Sequence, residues 1–494
     1  MLSKLRSIGL LLIACMVLPC MSRVNAQTST GSYRYSANEE QLGQQSPGTL
    51  LSAFPEDEAA YLLSDPFRVL TVIGQSGLRG PQFESTYFRL GDGPLTFTDS
   101  RTAYDPVLGT PSSANYVRLD RAANSLGFNR RNGTIVRIPF GTSTVQVMPS
   151  PPGSVTLPDT QQHWPFLALS AGRPLATSEY TFTVQTDHGL YQYSYITKQY
   201  YLLEPSPSAA AFAVADRGYI AGNDGGHSGQ ATVWYYGQKQ HFDGLYGVNK
   251  ALGVNESGIT VGYSNYRGPG PQIYQAWIGQ YGSSATKPII GMDIALSVNN
   301  SGQVIGLKYV SGDPSLAASY EGMLYETFTS KTVSLRSLYP TGAAMSNVQP
   351  TAIDDRGNIS FYAKRNGQPV SGTLRPARTI NVWDVKDNVG VPRASNQIFR
   401  FSLGNSNATG DAPATGYVGS FAFNGNFSAA SNPQNTMQTG YGSGTSYKAY
   451  YVDLFSLPYY GGTYPDDKTV YVTYLAKDLA GNVLAVDTHR IYLY

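Results

Sequence analysis

The sequence predicts an all-β protein: a β-propeller of about six or seven blades followed by a β-sandwich. Three observations carry this reading. A turn-and-strand repeat recurs through the middle of the chain. Strand-like runs separated by turn-rich spacers fill roughly the last 115 residues. The composition is rich in turn formers and poor in charge: Gly 52, Pro 30 and only 14% charged residues in 494, against about 25% in ordinary domains.

In chain order the first element is an export signal. Lys4 and Arg6 form a positive n-region, and Ile8 to Val17 an apolar h-region too short to span a bilayer. Val24-Asn25-Ala26 fits the small-x-small cleavage rule. Residues 1–26 are therefore read as a signal peptide, with Gln27 as the mature start. A rival reading takes Leu12-Ile13-Ala14-Cys15 as a lipobox, which would place a lipid anchor at Cys15. No other stretch is apolar for long enough to span a membrane. Cys15 and Cys20 both lie in the leader. The mature chain is thus expected to have no disulfide, no thiolate metal site and no Cys nucleophile. Without Lys4, Arg6 and Arg23 it carries 32 basic and 33 acidic residues. With no basic stripe, nucleic acid is excluded as an expected partner.

Residues 27–58 are polar and read as a flexible lead-in. Pro55 to Leu63 is the best short helix, with a Pro and three acids at its N-terminal end.

Residues 59–376 hold the repeat. Its first half is an apolar residue, an Asn or Asp, a Gly three residues on, then a short strand. It reads Val254-Asn255-Glu256-Ser257-Gly258-Ile259-Thr260-Val261-Gly262 and Val298-Asn299-Asn300-Ser301-Gly302-Gln303-Val304-Ile305-Gly306. A third copy runs from Val214 to Gly222, with Asp216 and Gly218. A more eroded one runs from Ile353 to Ile359, with Asp354 and Gly357. Weaker candidates lie at 119–123 and 168–172. Asn or Asp opens a type I turn by bonding its own backbone, and Gly takes the positive φ that returns the chain. The second half is a small residue, an apolar or aromatic strand and a turn: Gln230 to Gly237, Gln275 to Gly282, and more loosely Glu321 to Tyr325. The turn glycines fall 40, 44 and 55 residues apart. Strand-only repeats of this period imply one small antiparallel sheet each, packed in series, as in a propeller.

The two halves together resemble the HAF repeat of bacterial extracellular proteins. Gln230–Gly237 and Gln275–Gly282 match its x-Ala-Phe-Leu-Trp-x-x-Gly strand. Val254–Gly262 and Val298–Gly306 match its Ile-Asn-x-x-Gly-x-Val-x-Gly hairpin. The leading His of the family is Gln or Glu here, and its Phe is Thr, Trp or Met. The resemblance implies export and a propeller-like fold, and no particular activity.

Residues 377–494 read as the sandwich, with strand-like runs at 379–385, 398–403, 417–423, 449–455, 469–476 and 483–494. Val470 to Asn482, with its Asp478-x-x-Gly481-Asn482 turn, resembles the last hairpin of bacterial immunoglobulin-like domains. Asp387-Asn388-Val389-Gly390-Val391 resembles a short motif near their start. Such domains serve mostly as spacers or binding modules.

Candidate chemistry is sparse. His163, His188, His227, His241 and His489 show no metal-ligand spacing. His227 lies in the Gly-rich run Asn223–Gly229, read as an inter-strand loop. Gly440–Gly444 is not followed by a helix pattern, so it is no phosphate loop. Asp354-Asp355 and Asp466-Asp467 lack calcium-loop spacing and read as turn residues. Trp234 and Trp277 are read as packing residues first and sugar-stacking platforms second. No catalytic, cofactor or metal-binding residue is therefore assigned. The expected function is an exported surface or secreted binding or structural protein, taking a glycan or a protein ligand. The alternative is a secreted polysaccharide-active enzyme whose acid pair is visible only in three dimensions.

Overall fold

The computed structural model describes strand segments 24–26, 35–41, 85–90, 96–101, 116–119, 125–129 and 134–138. It then describes 146–153, and 173–494 apart from breaks, the longest at 424–436, 440–446 and 455–468. Residues 1–23, the helix expected at 55–63, the repeat candidate at 168–172, His163, His227, Gly440–Gly444 and Asp466-Asp467 lie outside the described residues.

The chain is all-β. Five four-stranded antiparallel meanders occupy 116–147, 173–204, 210–241, 248–288 and 294–334, each with its strands side by side in chain order. A two-stranded hairpin, Ser85–Leu90 with Thr96–Arg101, precedes them. A further sheet follows at 345–376, and its third strand, Gln368–Pro376, pairs along its outer edge with Tyr35–Gln41. Val24–Ala26 lies beyond that. The segment read as a flexible lead-in thus contains a strand. A strand added outside the three core strands of a sheet is held by backbone hydrogen bonds and needs no apolar face. The polar composition of Tyr35–Gln41 hid it for that reason.

Successive sheets share cores. Ala221, Val233 and Phe242 of one pack with Ala251, Val254 and Trp277 of the next. Val261 and Ala276 pack with Ile289, Ala295, Val304 and Met323. Ile305 and Leu324 pack with Met345, Phe361 and Leu374. The last strand of a sheet is its most exposed, as in Thr286–Pro288.

Four first strands carry a β-bulge at the same repeat position, between Ala211 and Ala213, Ala251 and Gly253, Ala295 and Ser297, and Pro350 and Ala352. Opposite the bulge the neighbouring strand passes unusually close. A Cβ built on Gly222, Gly262 or Gly306 would stand 2.0, 1.8 and 2.2 Å from the carbonyl oxygens of Ala210, Lys250 and Ile294. The second Gly of the repeat is therefore a close-approach residue.

Among the described residues of 378–494 the strands form two sheets. One contains Arg378–Val382, Gln397–Asn405 and Tyr447–Val452; the other contains Val418–Phe423, Thr469–Lys477 and Val483–Leu493, with Val389–Val391 added in parallel. Phe399, Phe401, Tyr417, Phe421, Val472, Tyr474 and Ile491 fill the space between them. On the outer side of the closing hairpin, Leu475, Val483 and Val486 join the core of the 294–334 and 345–376 sheets. No helix among the described residues is long and apolar enough to cross a membrane.

Candidate functional site

The repeat turns join the first and second strands of their sheets and gather at one end of the molecule. Their form follows from their residues. Gly258 donates its N–H to the carbonyl of Asn255, and the Asn255 side-chain oxygen accepts from the amides of Ser257 and Ile259. Gly218, Gly258, Gly302 and Gly357 have φ of 96°, 75°, 76° and 78°, a region open to Gly at little cost. Asp478–Gly481 repeats the turn in the C-terminal sheets, with Gly481 at φ 83°.

What the sequence did not reveal is that the turns are wired to one another. The amides of Asp216 and Arg217 donate to the two carboxylate oxygens of Glu256 at 2.7 and 2.6 Å. The Glu256 amide donates to Asn300 Oδ1 at 2.9 Å, and the Asn300 amide to Asp355 Oδ1 at 2.8 Å. One position earlier, Asn255 Nδ2 reaches the Asn299 carbonyl and Asn299 Nδ2 the Asp354 carbonyl. The residue after each Asn or Asp thus caps the preceding turn. Asn255, Glu256, Asn299 and Asn300 are all buried, so these bonds satisfy groups that water does not reach.

The relay ends on the C-terminal sheets. Ser301 Oγ lies 2.7 Å from Thr488 Oγ1, which lies 2.8 Å from Thr473 Oγ1. Beside them His489 Nε2 meets Asp487 Oδ2 at 3.1 Å, and Arg356 Nε stands 3.6 Å from the same oxygen. Burial, reinforced by the fields of Asp384 and Asp487, pushes the neighbouring Tyr474 hydroxyl well above its ordinary pKa. Asp487 and His489 are under a tenth exposed, within the junction between the turns and the C-terminal sheets. His241 lies apart, against Thr232 Oγ1, and His188 is in a separate turn. Among the described residues no three or more of His, Cys, Asp and Glu are grouped to hold a metal ion.

Trp234 and Trp277 are 1% and 0% exposed. Trp277 packs on Phe242 of the preceding sheet, ring centroids 5.4 Å apart. Trp277 is thus an inter-sheet packing residue, and neither ring offers a surface to a sugar. Exposed aromatic surface lies instead beside the turns. Tyr219, one residue after the turn Gly218, stacks on Tyr235 at 4.0 Å and 13°. Tyr281 of the next sheet closes on both at 5.3 and 5.4 Å, and Tyr236 meets Tyr235 edge-on at 4.5 Å. Burial first, then the field of Tyr235, pushes the Tyr219 hydroxyl above its ordinary pKa. Gly258 leaves the room for this cluster, since a Cβ there would stand 3.0 Å from Tyr281 and 3.1 Å from Tyr219. The sequence signal was present: Tyr follows a turn Gly at 219, ends a third strand at 235 and stands one residue past the next one at 281.

No family model matches the chain, and no curated protein matches it. Among solved structures it is similar to the extracellular domain of a one-component system from B. thetaiotaomicron, at 10% identity and TM-score 0.33, over 84% of this chain and 55% of that one. It is similar to PorZ, a surface component of the type-IX secretion system of Porphyromonas gingivalis, at 9% and 0.32, over 82% and 56%. It is also similar to a catalytically inactive virginiamycin B lyase from Staphylococcus aureus, at 10% and 0.33, over 60% and 99%. The chain spans just over half the length of the first two. Likenesses this slight bear on neither activity nor ligand.

Proposed function

We propose that the chain is an exported protein of the bacterial surface or medium that binds a glycan or a protein partner without transforming it. In this reading the serial sheets close into a β-propeller of six or seven HAF-like blades. Tyr35–Gln41 supplies the outer strand of the last blade, and an immunoglobulin-like sandwich docks on one end. Cleavage after Ala26 would remove Val24–Ala26 and leave that strand in place.

The observation that carries the proposal is the relay of buried turns running into Thr473 and Thr488. Its polar groups are engaged in fixing one sheet to the next and the C-terminal unit to the stack. Such a junction makes a rigid scaffold that presents loops, as binding modules require.

The test uses residues 27–494, incubated with a panel of neutral and acidic polysaccharides and assayed for retention and for newly released chain ends. Retention without new ends is the expected result. New ends would overturn the non-catalytic part of the proposal in favour of a polysaccharide-active enzyme.

A further inference from the structure

Five residues other than Gly have positive φ among those described: Lys198, Tyr236, Ser330, Asn347 and Asn366. Tyr236 is the aromatic one. It forms, with Gly237, the two-residue loop between Ala231–Tyr235 and Gln238–His241, where Tyr235 pairs with Gln238. Both loop residues have positive φ, 47° and 75°, as a type I′ turn demands. Asn-Gly is the pair that suits such a turn, because an Asn side chain tolerates the left-handed region and a bulky ring does not. The hairpin at 366–367, where Arg365 pairs with Gln368, uses Asn366 for this purpose at φ 51°.

Packing does not explain the exception, since Tyr236 is 51% exposed. Strain held at an exposed aromatic is a mark of function. The ring stands edge-on to Tyr235, at the exposed margin of the half-buried Tyr219, Tyr235 and Tyr281. Amides border it: Gln240 clasps the next turn at Gly282 and Ser283, and Gln280 bonds the Ser257 carbonyl. Arg217, whose charge reaches Tyr219, and Asp243, bonded to Ser284, bring one charge of each sign.

From this placement we infer that the tyrosine cluster around Tyr236 is a binding site for a neutral hexose polymer. Sugar rings stack their C–H faces on the tyrosines, and hydroxyls meet the bordering amides. The inference rests on the binding reading above and names its site and ligand class. The exposed Tyr236 ring with polar, net-uncharged borders matches a sugar, which has an apolar face, a hydroxyl rim and no charge.

The experiment is affinity electrophoresis of full mature protein and variants in gels containing barley β-glucan, galactomannan or soluble starch, with polygalacturonate as the charged control. Wild type should be retarded by at least one neutral polymer. Tyr236→Asn should weaken that retardation about 10-fold or more while Tm holds or rises by about 1–2 °C, because the turn is relieved of strain. Tyr236→Phe should bind within about twofold of wild type, since it keeps the stacking face. Retardation equal in wild type and Tyr236→Asn would overturn the site and leave the binding reading intact. Binding to polygalacturonate alone would overturn the ligand class. Binding to none of the four would overturn the glycan assignment, and the general binding reading then stands or falls on protein partners.

Discussion

At Gly262 the second strand of a sheet crosses the bulged first strand with no space for a methyl group. The obstacle is the Lys250 carbonyl, which cannot swing aside as a side chain could. Gly262→Ala is therefore expected to lower stability by about 2–3 kcal/mol, read as a fall in the urea midpoint without a change in slope. The sequence displayed this Gly three times at one repeat position, at 222, 262 and 306. It did not display the reason, because the bulge belongs to the partner strand and breaks the period of two from which strands are read. Tyr236 was hidden differently. Tyr-Gly is not a pair that announces a hairpin, so the strained position was legible only once its φ was known.

Three of the hairpin turns could be read locally, since Asn255, Asn299 and Asp354 each lie three residues before their Gly; in the fourth Ala215 holds that place. The coupling of turn to turn could not. It joins Glu256 to Asp216, Asn300 to Glu256 and Asp355 to Asn300 across unequal separations, and in the sequence these residues look like ordinary solvated turn positions. Burial makes the coupling strong. Glu256→Ala leaves the amides of Asp216 and Arg217 without their acceptor in a site closed to water, at a cost of about 2–3 kcal/mol. Glu256→Gln keeps one acceptor oxygen and should cost about half as much. Thermal unfolding of the two variants beside wild type checks the order; equal stability of all three would show that the relay is incidental. Among larger features, the C-terminal strands were legible almost to the residue, as in Thr469–Lys477 and Val483–Leu493, because turn-rich spacers bound them. Tyr35–Gln41 was not, since its polar sequence shows no apolar alternation.

Seen whole, the molecule is a chain of sheets in which the N-terminal segment serves the last sheet. Removing residues 1–41 should expose the edge of Gln368–Pro376, a row of unpaired backbone donors and acceptors that a second molecule can complete. The truncated protein is expected to unfold at a lower temperature than residues 27–494 and to self-associate with rising concentration in size-exclusion chromatography. A monomer of unchanged stability would show that the ladder contributes little.

That same ladder sets an order in time. Tyr35 pairs with Pro376, so the two strands leave the ribosome about 15–70 s apart at ordinary rates of synthesis. Throughout that interval the early strand waits without a partner and the last sheet cannot be sealed. Local hairpins form as they emerge, while the long-range contact that locks them arrives late and slowly. The clasp thus works as a delay, holding the chain pliable until about three quarters of it has been made.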